Sequence, residues 1–595
     1  MNSGNYFKSF IYVLTILLGL NFVSYGEISV EKLKEHVYFL ASDSLKGRKP
    51  GTPEGRLAAE YIKKNIIYPG VTFLGEDGFQ YFEVTTKIQL GENNELHIGD
   101  FDGDVEKDYI PLGFTKNKKL KSKVIFVGYG LSVENDTVFW NDYQGVSVAG
   151  RWIMILRGHP EIEKRQSKFE QFAGLREKII SAQDQGAGGV LLVSGPAFDK
   201  EDKLLDLFLE RNPATVNVPV LQIKSEVADL ILNKNGNSVK VLEKRLMESG
   251  KPLSFDTEVE VEGAASVIIS KSVTQNIIAI LPGSDPLLKD EVIVLGAHYD
   301  HLGMGGPGSG SRHPETLAIH NGADDNASGV AAILEIFKML CENRDKLKRS
   351  VLLISFGAEE LGVIGSKYFI DHPLIALDKI KFMFNLDMIG RMDQQQNEFT
   401  LGGTGTAVGL EDILKKQAEV SQVKVNMSAE GLGPSDHASF YASDKSVLFF
   451  FTSPHQDYHT PDDDPQYLNY LGIQEIAEFA YNVILEIANR PVNLAFQEAG
   501  PKSRPSSRYG LRATLGLQPD HTAGDVVGMR VEAVTKGKPA DLAGMKKGDV
   551  IVAIEGKEVN NIYDYMYRLK EFRPGDRISV EIKRNEKKQI LIVQL

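Results

Sequence analysis

Cysteine is almost absent from this sequence: Cys341 stands alone among 595 residues. No intramolecular disulfide can form and thiolate zinc sites are excluded, so any bound metal has to be held by His, Asp and Glu. An excess of basic charge is missing as well. Lys and Arg total 67 against 80 Asp and Glu, for a net charge of −13, which argues against a protein that holds nucleic acid by counterion release. Past the first residues no apolar run is long enough for a transmembrane helix. With 42% hydrophobic and 25% charged residues, the composition excludes collagen-like, wholly disordered and polytopic membrane classes. The length is several times the common domain size of roughly 100–200 residues, so three or four folded units are expected.

The first residues have the pattern of an export signal. Lys8 gives a positive start, Phe10 to Leu20 is a short apolar run, and Ser24-Tyr25-Gly26 offers small residues at a cleavage site after Gly26. An uncleaved N-terminal anchor is the alternative. Export of a chain without disulfides fits a periplasmic or extracellular location.

Apolar periodicity then divides the chain. Val30 to Leu40 and Glu54 to Ile67 have helical spacing, with a Gly/Pro-containing turn between them. From about residue 120 to 263 short β-branched runs alternate with one helical stretch, Phe172 to Gln185, and read as an inserted mixed α/β domain. It divides a larger unit into an N-terminal part, 27–119, and a core, 264–496. From Ile278 to Leu485 strand and helix alternate, as in a mostly parallel sheet with helices on both faces. Residues 497–508 read as a linker and 509–595 as a small β-rich domain.

Eight of the twelve histidines lie between His298 and His459. His298 follows the apolar strand Val292 to Ala297, Glu359 and Glu360 follow Val351 to Phe356, Asp387 follows Phe382 to Leu386, and His459 lies beyond Val447 to Thr452. Sites in open parallel sheets form outside the carboxyl ends of the strands, where these side chains converge. Asp325, just before the helix Val330 to Leu340, joins the set. Singly, Asp324-Asp325-Asn326 reads as a helix cap and Glu359-Glu360 as a solvated first turn. Together, two histidines and three carboxylates suit a pair of zinc ions sharing one carboxylate. Asp300, two positions beyond His298 in extended chain, points the same way and is placed to accept the other imidazole N–H.

The segments His298-Tyr299-Asp300-His301, Gly322 to Gly329, Phe356 to Gly362, Asn385 to Gly390 and Tyr458 to Asp463 resemble, in order, the motifs of the di-zinc aminopeptidase family, which includes aminopeptidase Y and glutamate carboxypeptidase. Leu40 to Asp43 and Gly47-Arg48 resemble its N-terminal lobe. The resemblance implies a zinc exopeptidase fold with two Zn²⁺ ions. Asp325 would bridge them, His298 and Asp387 would complete one site, and Glu360 and His459 the other. Glu359 would be the general base, and the Tyr458 hydroxyl would support the oxyanion, with packing beside His459 as its alternative. Asp436-His437 is placed at the rim. His301, His313, His320 and His455 are expected to be solvated or substrate-facing, and Gly303 to Arg312 to form a mobile loop.

The insert resembles the protease-associated domain through Val127 to Gly130, Trp140 to Gly145, Arg151 to Arg157, Ala187 to Val190 and Val218 to Val220. Pro539 to Ile551 with Ile554 to Gly556 resembles a PDZ domain, whose carboxylate-binding loop would be Leu515-Gly516-Leu517, with a C-terminal peptide as ligand. The expectation is an exported exopeptidase removing N-terminal residues from peptides, with no nucleic-acid partner and no membrane span after cleavage. A carboxypeptidase remains open, and so does a silent peptide-binding relative of the same fold.

Overall fold

The computed structural model describes residues 28–134, 138–207, 214–393, 395–421, 423–502, 513–520 and 526–595. The leader expected at 1–26 and half of the linker expected at 497–508 lie outside the described residues.

The largest sheet has at its centre four parallel strands in the order Ser350–Phe356, Val292–His298, Ile380–Leu386, Ser446–Phe451. The long strand Val267–Leu281 runs antiparallel on one side, and Glu398–Gly402 runs antiparallel on the other. The strands are apolar on both faces because helices cover both. Ile293, Leu295, Leu353, Phe384 and Phe450 pack with the helices Gly329–Glu342, Tyr470–Asn489, Val30–Leu40 and Pro53–Lys64. The alternate residues Val294, Leu352, Ile354 and Met383 face the shorter helices Ile364–Asp371 and His437–Ala442. Period-two alternation thus assigns each side chain to a layer.

Val267–Leu281 also pairs along its length with Phe79–Leu90, and this ribbon is the stem of the insert. The chain leaves at Gly91 and returns at Ser266, where the Gly91 N–H donates to the Ser266 carbonyl at 2.9 Å. The insert is an eight-stranded mixed sheet that takes in Glu95–Ile98, Phe101–Asp102 and Tyr109–Pro111. It therefore begins well before residue 120. Those early strands are short, with no β-branched run to reveal them, and they gain their order from pairing with distant partners such as Ser254–Ala265 and Val220–Ile223.

The C-terminal domain is an antiparallel sheet with Leu517–Pro519 at one edge and two helices, Pro539–Leu542 and Ile562–Leu569. It is seated on both other units. Arg568 donates to Asp184 of the insert at 2.7 Å, and the Arg176 guanidinium lies 4.0 Å from the rings of both Phe114 and Tyr563. Toward the core, buried Lys367 pairs with Asp520 and lies 3.3 Å from Glu532. No helix among the described residues is long and apolar enough to cross a membrane.

Candidate metal centre

The four parallel strands end level with one another: His298 is in register with Phe356, and Asn385 with Phe449. The residues just past those ends are therefore neighbours in space although far apart in sequence. His298 Nε2 lies 3.3 Å from Asp325 Oδ1 and 3.3 Å from Asp387 Oδ1. His459 Nε2 lies 3.1 Å from Asp325 Oδ2 and 3.3 Å from Glu360 Oε2. The two oxygens of Asp325 thus face two separate donor sets.

Those separations test whether the residues fit a metal pair. Donors bound at about 2.0–2.1 Å in a tetrahedron lie about 3.3 Å from one another, which is the spacing found in both sets. Glu360 Oε1 is buried without a hydrogen-bond donor aligned on it. His298, Asp325, Glu360, Asp387 and His459 are all buried, where so many carboxylates need compensating positive charge. Burial pushes the Asp325 carboxyl up, but hydrogen bonds from His298 and His459 outweigh it and hold the group well below its ordinary range. Burial opposes charge on His459, and Glu360 and Asp325 overcome it, holding the imidazole up at about 11.

The supporting residues differ from expectation in several ways. His298 Nδ1 is nearest the backbone carbonyl of Asp300, at 3.2 Å, with the carboxylate 3.9 Å away. The Asp300 carboxylate instead accepts the N–H groups of Glu359 and Glu360 at 3.0 and 3.2 Å. It ties the turn carrying both glutamates to the end of the His298 strand. His301 is not solvated: it is buried, with Nδ1 2.8 Å from Glu360 Oε1, and together with Asp325 and Glu360 it brings ligand atoms within 4.8 Å of one another. His320 is buried too, and His455 Nε2 lies 3.3 Å from Asp324 Oδ2; of the four, His313 stays exposed. Asp436 and His437 are not at the rim but buried, with the His437 ring stacked 4.2 Å from Phe449. Burial pushes the Asp436 carboxyl up to about 7. Arg391 is paired with Asp457 at 2.9 Å.

Glu359 belongs to neither donor set. Burial raises its carboxyl well above the ordinary value; His298 opposes this and Glu360 reinforces it. The Tyr458 ring stacks on His459 at 3.8 Å, and burial beside Asp325 and Glu360 keeps its hydroxyl protonated. In the C-terminal domain, Leu515 and Leu517 are buried in that domain's core, and Gly516 takes the left-handed φ of 72° that a glycine tolerates.

Two residues that hold the turn carrying Asp325 escaped sequence reasoning. The Asp463 carboxylate accepts the N–H groups of Asp324 and Asp325 at 2.9 and 3.1 Å. From the other side Arg48, fully buried, donates to the carbonyls of Tyr299 at 2.6 Å, Gly322 at 2.7 Å, Leu40 at 3.0 Å, Asp325 at 3.2 Å, and Asn321. The signals were present, Asp463 four residues past His459 and Arg48 in the Gly47-Arg48 pair, but neither shows its partners in sequence.

An α/β domain with nitrogen and oxygen donors for two cations at the carboxyl edge of its sheet is the class that this fold and site define. Within that class, residues 276–484 match the model of peptidase family M28 and residues 513–595 match that of a PDZ domain. It is 23% identical over 324 residues, 53% of its length, to aminopeptidase YwaD of Bacillus subtilis, covering 60% of that protein. It is 30% identical over 223 residues, 36% of its length, to a probable leucine aminopeptidase of Trichophyton verrucosum, covering 57% of it. A zinc aminopeptidase structure from Bacillus subtilis aligns over 78% of this chain and 97% of that one, at 19% identity and a TM-score of 0.46. The chain thus spans about half to three-fifths of the length of the first three curated relatives it matches.

Proposed function

We propose that this chain is an exported, zinc-dependent aminopeptidase that removes N-terminal residues from peptides. The observation that carries the reading is the divided use of Asp325, one oxygen 3.3 Å from His298 and the other 3.1 Å from His459. His298, Asp325 and Asp387 would hold one Zn²⁺ and Asp325, Glu360 and His459 the other. When bound, such a pair lowers the pKa of a water shared between them and polarises the scissile carbonyl.

The chain's own residues supply the proton traffic. Glu359, anchored through its N–H on Asp300 and outside both donor sets, takes the proton from the attacking water and delivers it to the leaving amine. A carboxyl group raised by burial holds that proton at neutral pH long enough to pass it on. The protonated Tyr458 hydroxyl donates to the oxyanion. Release of C-terminal residues instead would call for arginines facing the site. Arg48 spends its donors on backbone carbonyls, Arg391 is paired with Asp457, and Arg312 donates to the Gln456 carbonyl at 2.9 Å, so these three are engaged elsewhere. The edge strand Leu517–Pro519 with the loop at Gly516 would take the C-terminal tail of a peptide.

Incubation of the mature protein with a mixed peptide pool, with chelator and with zinc restored, tests the reading by mass spectrometry. Stepwise loss from the amino end, abolished by chelation and restored by zinc, is expected. Trimming from the carboxyl end, or no cleavage by folded, zinc-loaded protein, would overturn it. The N-terminus of exported protein should begin at Glu27.

A further inference from the structure

The Gly-rich segment from Gly303 to His320 is a docked strap. Its neck is closed where Gly303 donates to the Gly47 carbonyl at 3.1 Å and the His320 N–H donates to the Gly303 carbonyl at 2.9 Å. Its far side grips His459 twice: the His459 Nδ1–H donates to the Gly310 carbonyl at 3.0 Å, and the Arg312 N–H donates to the His459 carbonyl at 3.0 Å. The first contact has a chemical consequence. A carbonyl only accepts, so it keeps a hydrogen on Nδ1 and leaves Nε2, which faces Asp325 and Glu360, as the nitrogen that would give its lone pair to a cation.

Ser311 lies between the two gripping residues. His320, buried, places Nδ1 2.9 Å from the Ala318 carbonyl, so this nitrogen carries the hydrogen and Nε2 accepts from the Ser311 hydroxyl at 2.8 Å. Ser311 Oγ in turn accepts the His313 N–H at 3.0 Å. The His320 ring lies against Gly305, where a Cβ would come within 2.3 Å of Cε1. His298, in the other donor set, has its own Nδ1 partner in the Asp300 carbonyl at 3.2 Å, outside the strap.

We propose that Ser311 and His320 form a clasp that holds the strap on His459 and so sets the affinity of the His459–Glu360 cation position, leaving the His298–Asp387 position untouched. They are positioning residues, acting through Gly310 and Arg312. The inference rests on the two-cation reading, and cation binding tests it without reference to peptide cleavage.

The full mature chain, stripped of metal, is titrated with zinc against a competing chelator, and with cobalt followed by visible absorption. Wild type should take up two equivalents. In Ser311→Ala one equivalent should keep its affinity while the other weakens about 10–100-fold, the usual effect of losing a residue that orients a ligand. The cobalt spectrum should change only in the weakened step. Ser311→Thr, which keeps the hydroxyl, should restore both, and His320→Ala should repeat the split. Unaltered binding of both equivalents in Ser311→Ala, or equal weakening of both, overturns the clasp. Fewer than two equivalents in wild type would instead overturn the two-cation reading beneath it.

Discussion

Arg48 offers the most demanding test of how the site is held together. Replacing it with methionine keeps much of the buried volume and removes the guanidinium from five carbonyls, those of Leu40, Tyr299, Asn321, Gly322 and Asp325. Burial pulls the guanidinium pKa down to about 10, against the pull of Asp325, Asp300, Asp463 and Glu360, so the group is charged at neutral pH. A hydrogen bond from a charged donor contributes about 1.5–3 kcal/mol, and an orphaned buried acceptor costs about 1–3 kcal/mol. Full additivity would exceed the total stability of a domain. Two acceptors left orphaned at about 2 kcal/mol each give about 4 kcal/mol, within the range for breaking a buried charged contact. For a peptidase unit of about 290 residues, with about 2.1 cal/mol/K of unfolding entropy per residue, this corresponds to roughly 6–7 °C in Tm. Arg48→Lys keeps the charge but reaches at most three acceptors without the planar fork, so it should recover about half the loss. Scanning calorimetry of the full chain, following the transition of the peptidase domain, measures both variants. A methionine variant melting within about 2 °C of wild type, or a lysine variant equal to it, would refute the argument that the fork of donors supports the Asp325 turn.

Glu359→Gln should lower kcat by about 10²–10⁴-fold while zinc content, measured by atomic absorption, stays at the wild-type level. Tyr458→Phe should lower kcat by about 10²-fold or more with little change in KM, as expected for a donor used only in the transition state; a ring that merely packs on His459 would leave kcat near wild type. In the insert, buried Lys178 donates to the Leu156 carbonyl at 2.9 Å, and burial lowers its pKa to about 7. In the unfolded chain it titrates near 10.5, so between pH 7 and 10 the unfolded state binds more protons and the stability contributed by this site rises with pH. The melting temperature of wild type relative to Lys178→Met should therefore climb across that interval, and a constant difference would refute the shift.

Much of the peptidase domain is legible in sequence because its information is local. Val292–His298, Ser350–Phe356, Ile380–Leu386 and Ser446–Phe451 are near-continuous apolar runs, the first ending in His298, the next two followed closely by Glu359–Glu360 and Asp387, and the last by a loop that reaches His459. A strand buried on both faces can only be written that way, and a chemically useful side chain must stand where the strand ends. Four strand ends and one helix start were therefore enough to gather His298, Asp325, Glu359, Glu360, Asp387 and His459, while the choice between the two glutamates rested on the family resemblance.

The tertiary structure decided what depends on partners distant in the chain. Which atom of Asp300 meets His298 was not readable, because side-chain and carbonyl oxygens of one residue share a position in sequence and differ only in direction. The early strands of the insert were missed because two to four residues carry no period of their own. The burial of His301 and His320, the grip of the strap on His459, and the convergence of Arg48 and Asp463 on the Asp325 turn arise from segments that meet only after folding. Local periodicity wrote the layers and placed the candidate site residues at their edges; packing between remote segments fixed their partners and their geometry.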